Sequence, residues 1–322
     1  MKAGVPAVQI AVSHRGRVVY SEAFGVTDKE SATAAIPRSV LQIGSVTKQF
    51  TAAAILRLAE RGALTLDDRI EKFVPEFDPR GATITLRQLL SHTSGVRREW
   101  FPPGPPWLDL IAPVTREQTL EGLNTGQLLD YPPGTKWSYS NAGYMLLGLA
   151  IESITGKPYA DFIHRELALP LGLIDTGVCG TSTLPVPEGY GLPQGMRMPA
   201  MHPTVILSSG SLCSTASDLA RWSHLLATGH AMLPASYATM TTPTPLANKA
   251  LVPYGLGLDV NKVLTRPAVA HGGAVYGFET FLLYFPDQEV AVAVITNAFP
   301  SAAAGNPQLI AIAVASAALA SL

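Results

Sequence analysis

Residues 43–50 read Ile43-Gly44-Ser45-Val46-Thr47-Lys48-Gln49-Phe50 and run into Thr51-Ala-Ala-Ala-Ile-Leu-Arg-Leu-Ala-Glu60, a stretch of helical character. A serine and a lysine three residues apart on one helix share a face, so the amine reaches the hydroxyl. Ser45 also falls among the unpaired N–H groups of a helix start, at the positive end of its dipole. Negative charge is favoured there by roughly 0.3–1 kcal/mol in exposed cases. A nucleophile with its proton acceptor alongside is the core of a covalent catalyst. The tetrad also has an ordinary reading, in which Ser45 is the N-cap of the helix that follows. The rest of the chain decides between the two.

At 322 residues the chain is long enough for one large domain or two lobes with ample core. Its formal net charge of −1 and ordinary apolar content argue against disorder. No basic stripe is present, so a nucleic-acid partner is excluded. Cys179 and Cys213 form neither a Cys-x-x-Cys nor a metal-type pair, and they bridge only if the fold brings them together. They are expected to be small, buried, apolar side chains. The histidines fall in no zinc pattern, and the phosphate-loop, dinucleotide and Gly-x-Ser-x-Gly signals are missing, so no metal or cofactor is expected.

Strands are expected at both ends of the chain. Ala7–His14 and Arg17–Phe24 flank Arg15-Gly16, a two-residue hairpin linker. Pro267–Gly273, Glu279–Phe285 and Glu289–Thr296 follow near the other end, with Pro286-Asp287-Gln288 as a turn and Tyr254–Val260 as a further candidate. Helices are expected between them at Gln49–Arg61, Leu86–Leu90, Tyr144–Thr155, Tyr159–Leu167 and Ser217–Thr228, the last behind a Thr215 or Ser217 cap. The stretches Phe101-Pro-Pro-Gly-Pro-Pro-Trp107 and Leu184–Pro203 read as loops. The apolar run Leu309–Leu322 has 14 residues, short of the ~20 that a bilayer needs, and reads as a buried terminal helix. Grouped strands around grouped helices give an α+β fold, with an antiparallel sheet from both chain ends and a large helical insertion. The seam between the lobes is the expected place for a site.

The start, Met1-Lys-Ala-Gly-Val-Pro6, carries no leader pattern and reads as a frayed helix end entering a strand. As it stands the chain reads as cytoplasmic, and as periplasmic or secreted if the start has been trimmed. The sequence leaves the localisation and the oligomeric state open.

Two further constellations bear on Ser45. Tyr131-Pro-Pro-Gly-Thr-Lys-Trp-Ser-Tyr139-Ser140-Asn141 places a phenol and a carboxamide two residues apart in a turn. Tyr139 is suited to proton transfer if nearby positive charge such as Lys48 lowers its pKa from about 10. Asn141 is suited to holding a substrate amide. Ala270-His271-Gly272-Gly273-Ala274 ends one strand, and its paired glycines permit close backbone approach. The Ala274 amide is thereby placed to join that of Ser45 as an oxyanion hole. Each segment alone also reads as an ordinary turn.

Taken in order, Ser45-x-x-Lys48, Tyr139-Ser140-Asn141 and His271-Gly272-Gly273 resemble the three active-site motifs of the serine β-lactamase and penicillin-binding-protein superfamily. The Tyr-x-Asn form is similar to the class C branch, with its D,D-carboxypeptidases, D-aminopeptidases and β-lactamase-like carboxylesterases. Leu89-Leu-Ser-His-Thr-Ser-Gly-Val96, Leu169-Pro-Leu-Gly-Leu173 and Ser208-Ser-Gly-Ser-Leu-Cys-Ser-Thr-Ala-Ser-Asp-Leu-Ala-Arg-Trp222 match that branch too. The resemblance spans about Gly4 to Asn297. It implies a single β-lactamase-like domain over 1–322, with a sheet lobe of 1–40 and 250–322 and a helical lobe of 41–249. Three departures stand out. Almost none of the family's N-terminal helix precedes Val5, His271 stands where most β-lactamases have lysine, and no class A type glutamate base can be placed.

The resemblance implies acyl transfer. Ser45 attacks a carbonyl, Lys48 and Tyr139 act as a coupled base, and the Ser45 and Ala274 amides hold the oxyanion. Asn141 positions the acyl side, His271 lines the cleft or assists proton transfer, and Gly272 and Gly273 complete the opposing wall. The expected substrate is a small ester, amide or peptide, with no cofactor and no transmembrane segment. A carboxylesterase for short acyl esters ranks first, because His271 removes a permanent cation that favours carboxylate-bearing β-lactams. The Phe101-to-Trp107 loop is expected to add an apolar wall. A D-aminopeptidase or D,D-carboxypeptidase ranks second and a weak β-lactamase third. The rival of another class is a catalytically silent penicillin-recognising or scaffold protein.

Overall fold

The computed structural model describes residues 5–101, 110–181, 184–301 and 305–322. Residues 1–4 and 102–107 lie outside these, so the frayed N-terminal helix end and the bulk of the expected apolar loop wall are not among the described features.

Alternating and continuous apolar runs build one antiparallel sheet from both ends of the chain. Its strands are β1 (Ala7–His14), β2 (Arg17–Asp28), β3 (Thr33–Ala34), β4 (Asp259–Val263), β5 (Arg266–Val275), β6 (Phe278–Phe285) and β7 (Val290–Thr296). They lie in the order β4-β5-β6-β7-β1-β2-β3, so the two chain ends meet where β7 pairs with β1. The hairpin at Arg15-Gly16 forms as expected, with both residues at positive φ (52° and 73°), the requirement of a type I′ turn. β7 is buried along its whole length because both faces are covered. Ala291, Ala293 and Ile295 join the main core, while Val290, Val292 and Val294 join a second, smaller core.

The middle of the chain is mainly helical: α1 (Thr47–Glu60), α2 (Leu86–Leu90), α3 (Arg116–Asn124), α4 (Asn141–Thr155), α5 (Tyr159–Phe162), α6 (Pro203–Gly210), α7 (Ala216–Ala227) and α8 (Pro234–Met240). α9 (Pro307–Ala320) closes the chain and packs on β6 and β7. α1 is buried from Thr47 to Leu56, including the polar Thr47, Lys48, Gln49 and Thr51, because it is covered on nearly all sides. The architecture is the expected α+β arrangement.

Several local expectations are corrected. Cys179 and Cys213 are not free apolar side chains; they form a disulfide with Cα atoms 5.2 Å apart. A small sheet brings them together, since Gly177 lies opposite Cys213 and the Cys179 amide donates to Ser211 O. α4 begins at Asn141, three residues earlier than its apolar pattern suggests, because Ser140 caps it by accepting from the Gly143 amide at 2.9 Å. Tyr254–Val260 is not a strand throughout; β4 starts only at Asp259, after a turn closed by the Tyr254–Asp259 bridge. α9 buries only a small-residue stripe, Pro307, Ala311 and Ala315, and leaves Leu309 exposed. α3, α6 and α8 were not among the expected helices.

Candidate active site

The tetrad straddles two helical elements. Gly44–Val46 is a 3₁₀ turn that runs directly into α1. Neither helix start has a side-chain cap bond, so Ser45 is not a capping serine. Its side chain is free to face the cleft. Lys48, one turn on, is fully buried behind it, with Nζ 3.2 Å from Ser45 Oγ.

Two carbonyl oxygens complete the surroundings of that amine. Lys48 Nζ donates to Asn141 Oδ1 at 2.8 Å and to the Ser209 carbonyl at 2.7 Å. Burial holds its pKa well below the ordinary lysine value; the charge of Glu99 opposes this and that of Arg98 adds to it. A neutral amine has two N–H groups and one lone pair. In the neutral form the two carbonyls take both donors, which leaves the lone pair for the Ser45 hydroxyl.

Asn141 reaches Lys48 because it is the first residue of α4, directly behind the Ser140 cap. Its Nδ2 donates to Glu99 Oε1 at 2.8 Å, which fixes the orientation of the carboxamide. Burial raises the Glu99 pKa, opposed by the Asn141 bond and the positive charges of Arg98 and Lys48. Tyr139 lies on the other side of the amine, with Lys48 Nζ 4.7 Å from its ring centroid and the Arg98 guanidinium 5.3 Å from it. Burial raises its pKa, and the Ser45 hydrogen bond and Arg98 offset only part of that rise. The expected lowering of the phenol by Lys48 is not seen: burial is the largest influence, and the groups that oppose it are Ser45 and Arg98.

The third segment closes the cleft. Val275 and Phe278 face each other across Tyr276-Gly277, and antiparallel alternation turns the Ala274 amide away from β6. β5 presses on the Ser45 turn so closely that a Cβ on Gly44 would meet Ala274 N at 2.8 Å. His271 belongs to this same strand and is buried at 3% exposure. Its Nδ1 lies 2.6 Å from Gly272 O, and its Nε2 lies 3.0 Å from the Tyr254 hydroxyl. The carbonyl fixes the proton on Nδ1, so Nε2 accepts from the phenol. Burial, with Lys48 nearby, pushes its pKa down to about 3, so it is neutral and not a cation at all near pH 7. With both nitrogens occupied it has no free proton to shuttle to Ser45.

Ser45, Tyr139, Asn141, His271, Gly272, Gly273 and Ala274 therefore line one cleft, with Lys48 at its floor. Among the described residues no group of side chains could hold a metal ion, and no helix is long and apolar enough to cross a membrane.

The β-lactamase family model matches residues 1–316. The chain belongs to the β-lactamase family. Penicillin-binding protein 4* of Bacillus subtilis is 27% identical over 89% of this chain and 67% of its own length. The family members matched by sequence are longer, and this chain spans 60–67% of the first of them. The structure of an octameric penicillin-binding protein homologue from Pyrococcus abyssi superposes with a TM-score of 0.84 at 29% identity, covering 98% of this chain and 74% of that one. A D-stereospecific amidohydrolase from Streptomyces sp. gives 0.78 at 26% identity, covering 96% and 93%.

In this β-lactamase-family chain, four residues at or behind the cleft lie outside the three motifs. Ser209 lies in the run Ser208–Trp222, but a backbone carbonyl leaves no sequence signal. Glu99 has no local signal either. Tyr254 opens the run Tyr254-Gly-Leu-Gly257, whose glycines hint at close packing. His92 lies in Leu89–Val96; its ring packs at a tilt of 39° with its centroid 4.3 Å from that of Tyr139, and its Nδ1 accepts from the Ser140 amide at 3.1 Å. That bond ties the α2 end to the Tyr139 segment.

Proposed function

We propose that this protein is a serine hydrolase that works through an acyl-enzyme on small carboxylic esters. The observation that carries the reading is the buried Lys48 amine, saturated by two carbonyls and aimed at Ser45 Oγ. Lys48 Nζ takes the Ser45 proton as the Oγ–carbonyl carbon bond forms. The Ser45 and Ala274 amides carry the developing oxyanion, where loss of one donor typically costs about 2.7–4 kcal/mol of barrier. Tyr139, kept protonated by its raised pKa, donates to the leaving oxygen as its bond to carbon breaks, and Lys48 re-protonates it. Water repeats the sequence on the acyl-enzyme and releases the acid.

Esters rank above β-lactams because the neutral His271 offers a substrate carboxylate no positive charge. Amides form the second reading, supported by the likeness to a D-stereospecific amidohydrolase. Steady-state kinetics on p-nitrophenyl butyrate, a D-amino acid amide and a cephalosporin test the order. The ester is expected to lead by at least about tenfold in kcat/KM, a difference of about 1.4 kcal/mol in transition-state stabilisation. A lead for the amide would replace the first reading with the second.

A further inference from the structure

The cleft has two chemically unequal halves that meet at Ser45. One, of about 470 Å³, has apolar walls that include Trp100, Leu110, Met201, Val205 and Ile206. The other, of about 520 Å³, is bordered by Trp137, Tyr139, Tyr254, Asp259, Glu279 and Phe281. Tyr139 borders only the second half, and Tyr139 is the group that protonates the departing atom in the mechanism above. The apolar half therefore takes the acyl chain, and the leaving group exits past Asp259.

Asp259 is unusual among the acids of this cleft. It opens β4, opposite Ala270, and is partly buried. Glu99 is held by Asn141, and Glu279 accepts hydrogen bonds from the Ser301 amide and hydroxyl. Among the described residues Asp259 has neither a hydrogen bond nor an ion pair on its carboxylate. Burial without a partner pushes its pKa up to about 6, so it still carries its charge near neutral pH. The groups that face it do not neutralise it. Tyr139 and Tyr254 are held protonated, and His271 is neutral. The α9 start contributes only Asn306, Pro307 and Gln308, and Arg98 is drawn to Glu99 at 3.5 Å. Among the described residues that border this half, the carboxylates of Asp259 and Glu279 stand against the one guanidinium of Arg98. Aromatic faces stand beside them: Trp137 is 39% exposed, with its ring 5.7 Å from that of Tyr254. An unpaired anion flanked by aromatic rings is the chemistry that receives an alkylammonium ion.

We propose that the Asp259 half of the cleft binds a cationic leaving group, so that the substrate is a short apolar acyl ester of an amino alcohol, with Asp259 as the residue that selects it. This rests on the acyl-enzyme reading above. The Ser45 oxygen bonds to the acyl carbon, the alkyl oxygen leaves with a proton delivered by Tyr139, and the ammonium charge is unchanged throughout.

The test is a ratio of kcat/KM values for butyrylcholine and its neutral isostere 3,3-dimethylbutyl butyrate, measured by titrating the released acid. The wild-type protein is expected to prefer the cationic ester by about tenfold near neutral pH. The quaternary ammonium does not titrate, so the preference should fall toward unity as pH drops through about 6. Asp259→Asn should hold the ratio near one at every pH. A wild-type ratio near one, or a ratio that Asp259→Asn leaves in place, would overturn the inference. Should that variant fail to fold, a wild-type ratio that is flat across the same pH range overturns it equally. Hydrolysis of the neutral ester alone removes only this inference, whereas hydrolysis of neither ester removes the ester reading beneath it as well.

Discussion

Gly273 faces Ile43 so closely that a Cβ on the glycine would meet the Ile43 carbonyl oxygen at 2.0 Å and Ser45 N at 3.3 Å. Both neighbours are backbone atoms, so no side chain can swing aside to make room. This contact sets the distance between β5 and the 3₁₀ turn, and with it the spacing of the Ser45 and Ala274 amides.

Gly273→Ala should therefore damage chemistry more than binding. The strand must move away from the Ser45 turn, at a stability cost of about 1–3 kcal/mol by overpacking. A displaced oxyanion donor should lower kcat by about a hundredfold with a smaller change in KM. Thermal melts and ester kinetics on the variant check both. Unchanged kcat in a folded variant would mean that the Ala274 amide plays no part in the reaction.

Glu99 gives a pH-dependence with a definite sign. Its negative charge favours the Lys48 ammonium, against the burial that disfavours it. Lys48 must be neutral to act as base, so kcat/KM rises with pH as that proton is lost. Glu99→Gln removes the support for the ammonium and should move this acid limb to lower pH. The profile of kcat/KM against pH for the two proteins decides. A limb displaced toward higher pH would contradict the assignment of the base.

His271 makes the fold sensitive to acid. Its folded-state pKa of about 3 lies below the ordinary histidine value of 6.5 that the unfolded chain approaches. Between these values the unfolded chain binds more protons, so stability rises with pH across the window. The protein should be at full stability, as far as this group is concerned, above about pH 6.5 and lose it progressively toward pH 3. His92, buried and also lowered, acts in the same direction. Urea midpoints measured across that range should fall with acid, and His271→Asn should flatten part of the fall. An identical slope in the variant would mean that His271 is not buried in its neutral form.

Much of the scaffold was legible because its signals are local. The apolar runs of β1 and β7, the Arg15-Gly16 turn and the glycine ends of α1 and α4 all act within a few residues. α3 could also have been read, since Thr115 and Gln118 form a capping box. The three motifs carried the cleft residues because their spacing repeats a known pattern. What could not be read was long-range or carried by backbone. Ser209 O comes to Lys48 from 161 residues away, and the Cys179–Cys213 bridge depends on how a small sheet pairs. The neutrality of His271 is set by its burial and by Lys48, neither of which its own sequence neighbours reveal.

The central claim is that Ser45 is the nucleophile and Lys48 its base. The most direct measurement is time-resolved labelling with a fluorophosphonate, followed by peptide mass spectrometry of wild-type protein and Lys48→Ala. The account predicts a single adduct on Ser45, formed at least about a hundredfold more slowly in the variant. An adduct on another residue, or equal labelling rates in the two proteins, would contradict it.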